Sequence, residues 1–219
     1  MTHPDAGPCR FVVLISGRGS NMQHIVERAR LGGWPASFVQ IISNEPDAPG
    51  LAWAQAQGLP TDVLAHRDFS SREAFDLALA DRIDEHAPDY VLLAGFMRIL
   101  SPAFVQRFCN RLINIHPSLL PAFPGLKTHE RALQAGVGWH GCTVHVVTDE
   151  LDHGPIIAQA AVAVRSDDSV ASLRNAVLQA EHELYPLVVQ WLANGQVKVN
   201  DSAGVTVSSV AQRHLWINR

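Results

Sequence analysis

Phe11-Val12-Val13-Leu14-Ile15 is an unbroken apolar run that passes straight into Ser16-Gly17-Arg18-Gly19-Ser20-Asn21, then into Met22, Ile25, Val26 and Ala29 at helical spacing. A strand without polar alternation is one buried on both faces, which a parallel sheet covered by helices provides. The chain then repeats the unit. Strands are expected at Phe38 to Ile42, Thr61 to Leu64 and Tyr90 to Ala94, with a short helix from Leu51 to Ala56. Ser70-Ser71-Arg72-Glu73 reads as a capping box with Ser70 as N-cap, opening a helix whose Phe75, Leu79 and Ile83 share one face. Another helix is expected from Pro102. Strands and helices alternating at this spacing define a parallel α/β sheet with right-handed crossovers.

Beyond Pro124 the texture changes. Thr143 to Val147 and Ile156 to Val164 alternate like strands with one wetter face, and a long helix is expected over Ser169 to Trp191. Gln196 to Asn200 and Val205 to Ser209 could pair as a terminal hairpin. There are no internal repeats and no low-complexity linker. Residues 1–219 therefore read as a single domain with two halves, about 10–110 and 111–200.

Chemistry concentrates at three places. Gly17-x-Gly19, between a strand and a helix, offers backbone N–H groups and a positive helix end to a phosphate. It lacks the Gly-Lys-Ser/Thr of a P-loop, and Met22 occupies the third glycine position of a dinucleotide fingerprint. A phosphate monoester suits it best, although a plain tight turn, capped by Ser20 or Asn21, is an equally simple account. At Leu112-Ile113-Asn114-Ile115-His116-Pro117, Asn114 and His116 interrupt a β-prone run two residues apart, so an extended chain projects both from one face. Pro117 keeps His116 out of the helical region. The pair thus sits at the end of a strand, where open α/β sheets place their ligands; a pair of satisfied core polar groups is the bland alternative. Asp152 lies in the turn-rich Asp149-to-Pro155 loop, where it is either a solvated turn acid or a partner that holds His116 protonated. Without a GxSxG elbow, an amide, an imidazole and a carboxylate suit acyl transfer through a tetrahedral intermediate.

Composition excludes several other classes. A net charge of −4 gives no footprint for nucleic acid or an anionic membrane, and no run approaches the roughly 18 apolar residues of a membrane span. The three cysteines, Cys9, Cys109 and Cys142, are widely spaced, which fits a reducing cytoplasm. Met1 to Pro8 is polar, unlike a signal peptide. Eleven histidines form no HExxH motif or tight ligand cluster, so no metal is expected.

Together, Ile15 to Asn21, Ser71-Arg72-Glu73, Ala94 to Leu100, Asn114-Ile115-His116-Pro117-Ser118-Leu119-Leu120-Pro121 and Asp149 to Pro155 resemble the folate-dependent formyltransferases, in particular the phosphoribosylglycinamide formyltransferase branch. The resemblance runs in order from about residue 10 to 195. It implies a Rossmann-like, mostly parallel twisted sheet with helices on both faces, a phosphate-binding first half and a catalytic, folate-binding second half. It also implies transfer of the formyl group of 10-formyltetrahydrofolate, as co-substrate and without a metal, to the amine of 5'-phosphoribosylglycinamide in purine synthesis.

Carried over residue by residue, the resemblance makes Asn114, His116 and Asp152 catalytic. It places the phosphorylated substrate on Gly19, Ser20, Asn21 and Glu181. The folate falls on Arg72, Met97, Arg98, Ile99, Leu100 and Asn114. A sharp turn at Leu120-Pro121 is expected to carry a cis bond. A cytoplasmic enzyme working on small molecules, as monomer or homodimer, follows. The family's tRNA-directed members have an extra domain for which the chain is too short, and hydrolysis of the folate by a deformylase is the main alternative. A non-catalytic nucleotide-binding domain, tight on NAD and indifferent to His116, is the other.

Overall fold

The computed structural model describes residues 7–200, 204–208 and 214–217. An eight-stranded sheet runs in the order β10-β7-β6-β5-β4-β1-β2-β3. Its first half comprises β1 (Cys9–Ile15), α1 (Ser20–Gly32), β2 (Ala36–Ser43), α2 (Pro49–Ala56), β3 (Thr61–Val63), α3 (Arg72–Asp84) and β4 (Tyr90–Leu93). The second half adds α4 (Pro102–Arg107), β5 (Leu112–His116), α5 (Thr128–Gln134), β6 (Trp139–Val146), β7 (Ile156–Ala163) and α6 (Val170–Ala193). The pairs β1–β2, β2–β3, β1–β4, β4–β5 and β10–β7 are parallel, and β6 alone runs antiparallel to its neighbours β5 and β7.

The apolar run at Phe11 explains the layering. Phe11, Val13 and Ile15 enter one core with Met22 and Ile25 of α1 and Leu184 of α6. Val12 and Leu14 enter the opposite core with Phe75, Leu79 and Ile83 of α3. Successive side chains of a strand point to opposite faces, so one apolar run supplies both layers. Leaving β1, the sheet is built outward through β2 and β3 on one side and through β4 and β5 on the other. This reversal of strand order opens a crevice beyond the carboxyl ends of β1 and β4, where α/β sheets bind ligands.

Several expectations are corrected. Ser71, not Ser70, caps α3: its backbone is extended and its Oγ accepts from Ala74 N–H. Neither Ser20 nor Asn21 caps α1. Its N-cap is Gly19 at φ 66°, which leaves Ser20 and Asn21 as the first helical residues. The expected wetter face of the β6 segment is absent: from His140 to Val146 it is buried throughout, with α6 packed on it and β5 and β7 on its two edges. α5 was not legible, and neither was β10 (His214–Ile217), which pairs with the outer edge of β7. The expected hairpin is present as β8 (Val197–Asn200) against β9 (Gly204–Val207); Ser209 lies outside the described residues, as do residues 1–6 of the polar N-terminus. Leu120–Pro121 is cis, as expected. Among the described residues no helix is long and apolar enough to cross a membrane.

Candidate active site

β5 delivers the two polar side chains. Asn114 and His116 share a face of the strand and both line a cavity of about 330 Å³, together with His145, Met97, Leu126 and Asp152. His116 is only 6% exposed. Its Nε2 lies 3.0 Å from the Phe123 carbonyl oxygen, which can only accept, so Nε2 carries a proton. Its Nδ1 lies 3.4 Å from Asp152 Oδ2. A neutral ring would turn a lone pair towards that carboxylate, whereas an imidazolium donates from both nitrogens. The pair is thus placed to share or pass a proton between Nδ1 and the carboxylate.

Asp152 is no solvated turn residue. Its side chain is 7% exposed, and Oδ2 also accepts from Gly125 N–H at 2.8 Å. Its backbone is left-handed, φ 57°, a conformation aspartate tolerates better than most residues. The loop is pressed onto β6: Val146 N–H donates to the Pro155 carbonyl, and a Cβ on Gly154 would stand 1.7 Å from the Val146 carbonyl oxygen. Gly154→Ala should thus push the loop outward and carry Asp152 with it. Overpacking of this kind costs roughly 1–3 kcal/mol of stability, and a misplacement of about 1 Å can cost on the order of 10²-fold in rate. Thermal unfolding and turnover of the variant check both effects; an unchanged turnover would show that the loop position is immaterial.

His145 was missed, and it is the partner of Asn114. The two residues stand opposite each other in the β5–β6 ladder. His145 Nδ1 faces the Val146 carbonyl oxygen at 3.0 Å, so that nitrogen carries the proton. Nε2 then accepts from Asn114 Nδ2 at 3.2 Å, which fixes the amide and leaves its second N–H for the cavity. Burial pushes the His145 ring towards its neutral form, as this role needs. A histidine two residues after a threonine in a β-prone run was the available signal, but only strand pairing shows what it faces.

The residues expected to meet the phosphorylated substrate gather where α1 begins. Asn21, at 7% exposure, donates through Nδ2 to Glu181 Oε2 at 2.7 Å, linking α1 to α6. Burial raises the Glu181 carboxyl to about 7, against the lowering effect of the Asn21 bond. The next residue, His182, stacks on His24 of α1 with ring centroids 3.7 Å apart. Gly19 and Ser20 form the first turn, so their N–H groups are among those an α-helix leaves free.

Of the residues expected to meet the folate, Met97, Arg98, Ile99 and Leu100 all line the cavity. Met97 and Ile99 are largely exposed at its rim, and the Arg98 guanidinium lies over the Phe75 ring. Arg72 is not part of the wall; it starts α3 and pairs with Glu73. A larger, shallow hollow of about 710 Å³ lies by Arg10, Trp34 and His86, around the starts of β1 and β2 and away from these groups. Of the two, only the smaller cavity is lined by Asn114, His116 and Asp152.

Comparison with known proteins gives the class first: residues 9–189 match the family described as formyl transferase. Phosphoribosylglycinamide formyltransferase of Escherichia coli K12 is 50% identical over 193 residues, 88% of this chain and 91% of the bacterial protein. The crystal structure of glycinamide ribonucleotide transformylase 1 from Symbiobacterium toebii superposes with a TM-score of 0.88 at 42% identity, covering 94% of this chain and 96% of that one. That from Brucella melitensis, a phosphoribosylglycinamide formyltransferase, is 49% identical with a TM-score of 0.81, covering 87% and 98%. The chain belongs to the formyl transferase family, and within it to the phosphoribosylglycinamide formyltransferases, enzymes of purine biosynthesis. The relatives give no support to the deformylase alternative.

Proposed function

We propose that Asn114, His116 and Asp152 carry formyl transfer from 10-formyltetrahydrofolate to the amine of 5'-phosphoribosylglycinamide. The observation that carries this reading is the buried imidazole of His116, held between the Phe123 carbonyl and Asp152 in the wall of a mainly apolar cavity. The donor's ring system would occupy that cavity against Met97, Arg98, Ile99 and Leu100. Arg72, outside its wall, would meet the donor's acidic tail. The phosphate would rest on the free N–H groups of Gly19, Ser20 and Asn21 at the start of α1. Glu181 would then accept from the glycinamide portion. In this reading the chain works as one domain in two halves, in the cytoplasm, as monomer or homodimer, on small molecules alone and without a metal.

The amine nitrogen attacks the formyl carbon and the carbonyl oxygen becomes an oxyanion. The free amide N–H of Asn114 donates to it, and the charge of His116 stabilises it. Direct donation from His116 Nε2 requires that N–H to leave Phe123. Collapse breaks the bond from the formyl carbon to the donor nitrogen. The proton lost by the amine passes by way of the His116–Asp152 pair, or water held by it, to that leaving nitrogen.

Substrate assignment is tested at Asn21. Asn21→Ala keeps the backbone N–H but removes the side-chain bond that holds Glu181, and is expected to raise the Michaelis constant of the ribonucleotide about tenfold, the scale of one hydrogen bond to a charged group, with little change for the formyl donor. The Asn21 bond lowers the Glu181 titration, so its loss should move that titration upward. The ribonucleotide constant should then fall only at higher pH, once Glu181 ionises. Equal changes for both substrates would make the turn merely structural.

A further inference from the structure

Ser16 sits between the two substrate loops. It follows β1 directly and precedes the turn that begins α1, yet its side chain faces the β4–α4 loop. Its Oγ accepts from the Met97 backbone N–H at 2.8 Å and donates to Asn44 Oδ1 at 2.5 Å. Asn44 is 3% exposed, and its backbone carbonyl faces His66 Nδ1 at 3.1 Å, so the residue whose amide oxygen orients the Ser16 hydroxyl is itself held in place.

The loop needs such a hold. Residues 95–100 have no helix or strand, and they expose Met97 and Ile99 at the cavity rim. At one end Ala94 N–H donates to the Leu14 carbonyl, and at the other Ser101 N–H donates to buried Asp76. Midway between these tethers stands the Met97-to-Ser16 bond. We propose that Ser16 is the positioning residue that fixes the formyl-donor loop, Gly95 to Leu100, against the strand carrying the phosphate turn. The proposal rests on the assignment of the cavity to the donor given above. Removing the hydroxyl strips the Met97 N–H and Asn44 Oδ1 of their partner at once. The turn from Gly17 to Asn21 keeps its own support, including the Gly50 N–H to Gly17 carbonyl bond.

Ser16→Ala, Ser16→Thr and Asn44→Ala are compared with wild type for both Michaelis constants, for turnover at saturation and for amide hydrogen exchange at Met97. Ser16→Ala is expected to speed Met97 exchange and to raise the donor's constant about tenfold, the scale of one well-made hydrogen bond. The ribonucleotide constant and saturated turnover should stay within about twofold, on the same scale. Threonine, which keeps the hydroxyl, should restore the donor constant. Asn44→Ala should shift it in the same direction by less, and is the decisive variant if Ser16→Ala fails to fold. Unchanged donor affinity alongside faster Met97 exchange overturns the proposal, as does a ribonucleotide effect as large as the donor effect. Ile99→Asp at the cavity rim separates the two levels. If it raises the donor constant while the Ser16 and Asn44 variants do not, only the role of Ser16 fails. If it too has no effect, the cavity assignment fails, and the proposal with it.

Discussion

Asn114→Ala is expected to lower turnover by about 10²–10³-fold, the usual cost of losing one oxyanion donor, in a protein that still folds. The amide belongs to β5, whose strand register and apolar residues are untouched by the change. Only the bond to His145 Nε2 is lost from the folded state. On the proposed mechanism His116→Ala should cost a similar factor, because it removes the imidazole beside the developing oxyanion and leaves Asp152 without its partner at 3.4 Å. The two losses should be less than additive, since both groups act on one oxygen. Turnover at saturation of both substrates, set beside thermal unfolding, measures this. Near-normal turnover in either folded variant would remove that residue from the chemistry.

Asp152→Asn should lower turnover sharply while leaving the fold intact. Asparagine tolerates the left-handed backbone at this position, so the loop is preserved and the carboxylate charge alone is removed. His116 keeps its Nε2 bond to the Phe123 carbonyl but loses the anion 3.4 Å from Nδ1. The pair can then no longer pass a proton from the attacking amine to the leaving nitrogen, the role proposed for it. Turnover at saturation of both substrates, set beside thermal unfolding, checks this; unchanged activity in a folded variant would take Asp152 out of the mechanism.

Where a local rule and the tertiary structure agreed, the sequence was readable. Phe11 to Ile15 could only be a two-faced buried strand, and its odd and even residues do divide between two cores. Asn114 and His116 were legible as a same-face pair at a strand end for the same reason. Local rules failed where two neighbours qualified equally, as with Ser70 and Ser71, and only backbone geometry selects Ser71. They failed again at Thr143 to Val146, where α6 and two flanking strands bury residues whose alternation suggested a wet face. α5, seven residues long, carried no hydrophobic period to reveal it. His145 and the bond from Asn21 to Glu181 depend on strand pairing and on helix packing across 160 positions, which no local pattern encodes. Glu181 could be named beforehand only through the family resemblance.

The most direct measurement is the release of tetrahydrofolate from 10-formyltetrahydrofolate, followed by absorbance with and without 5'-phosphoribosylglycinamide, with the formyl group traced to its product. Amine attack at Asn114 and His116 requires release to depend on the ribonucleotide and to match formylated glycinamide ribonucleotide one for one. Release at a comparable rate without the ribonucleotide, with free formate as the product, would contradict it.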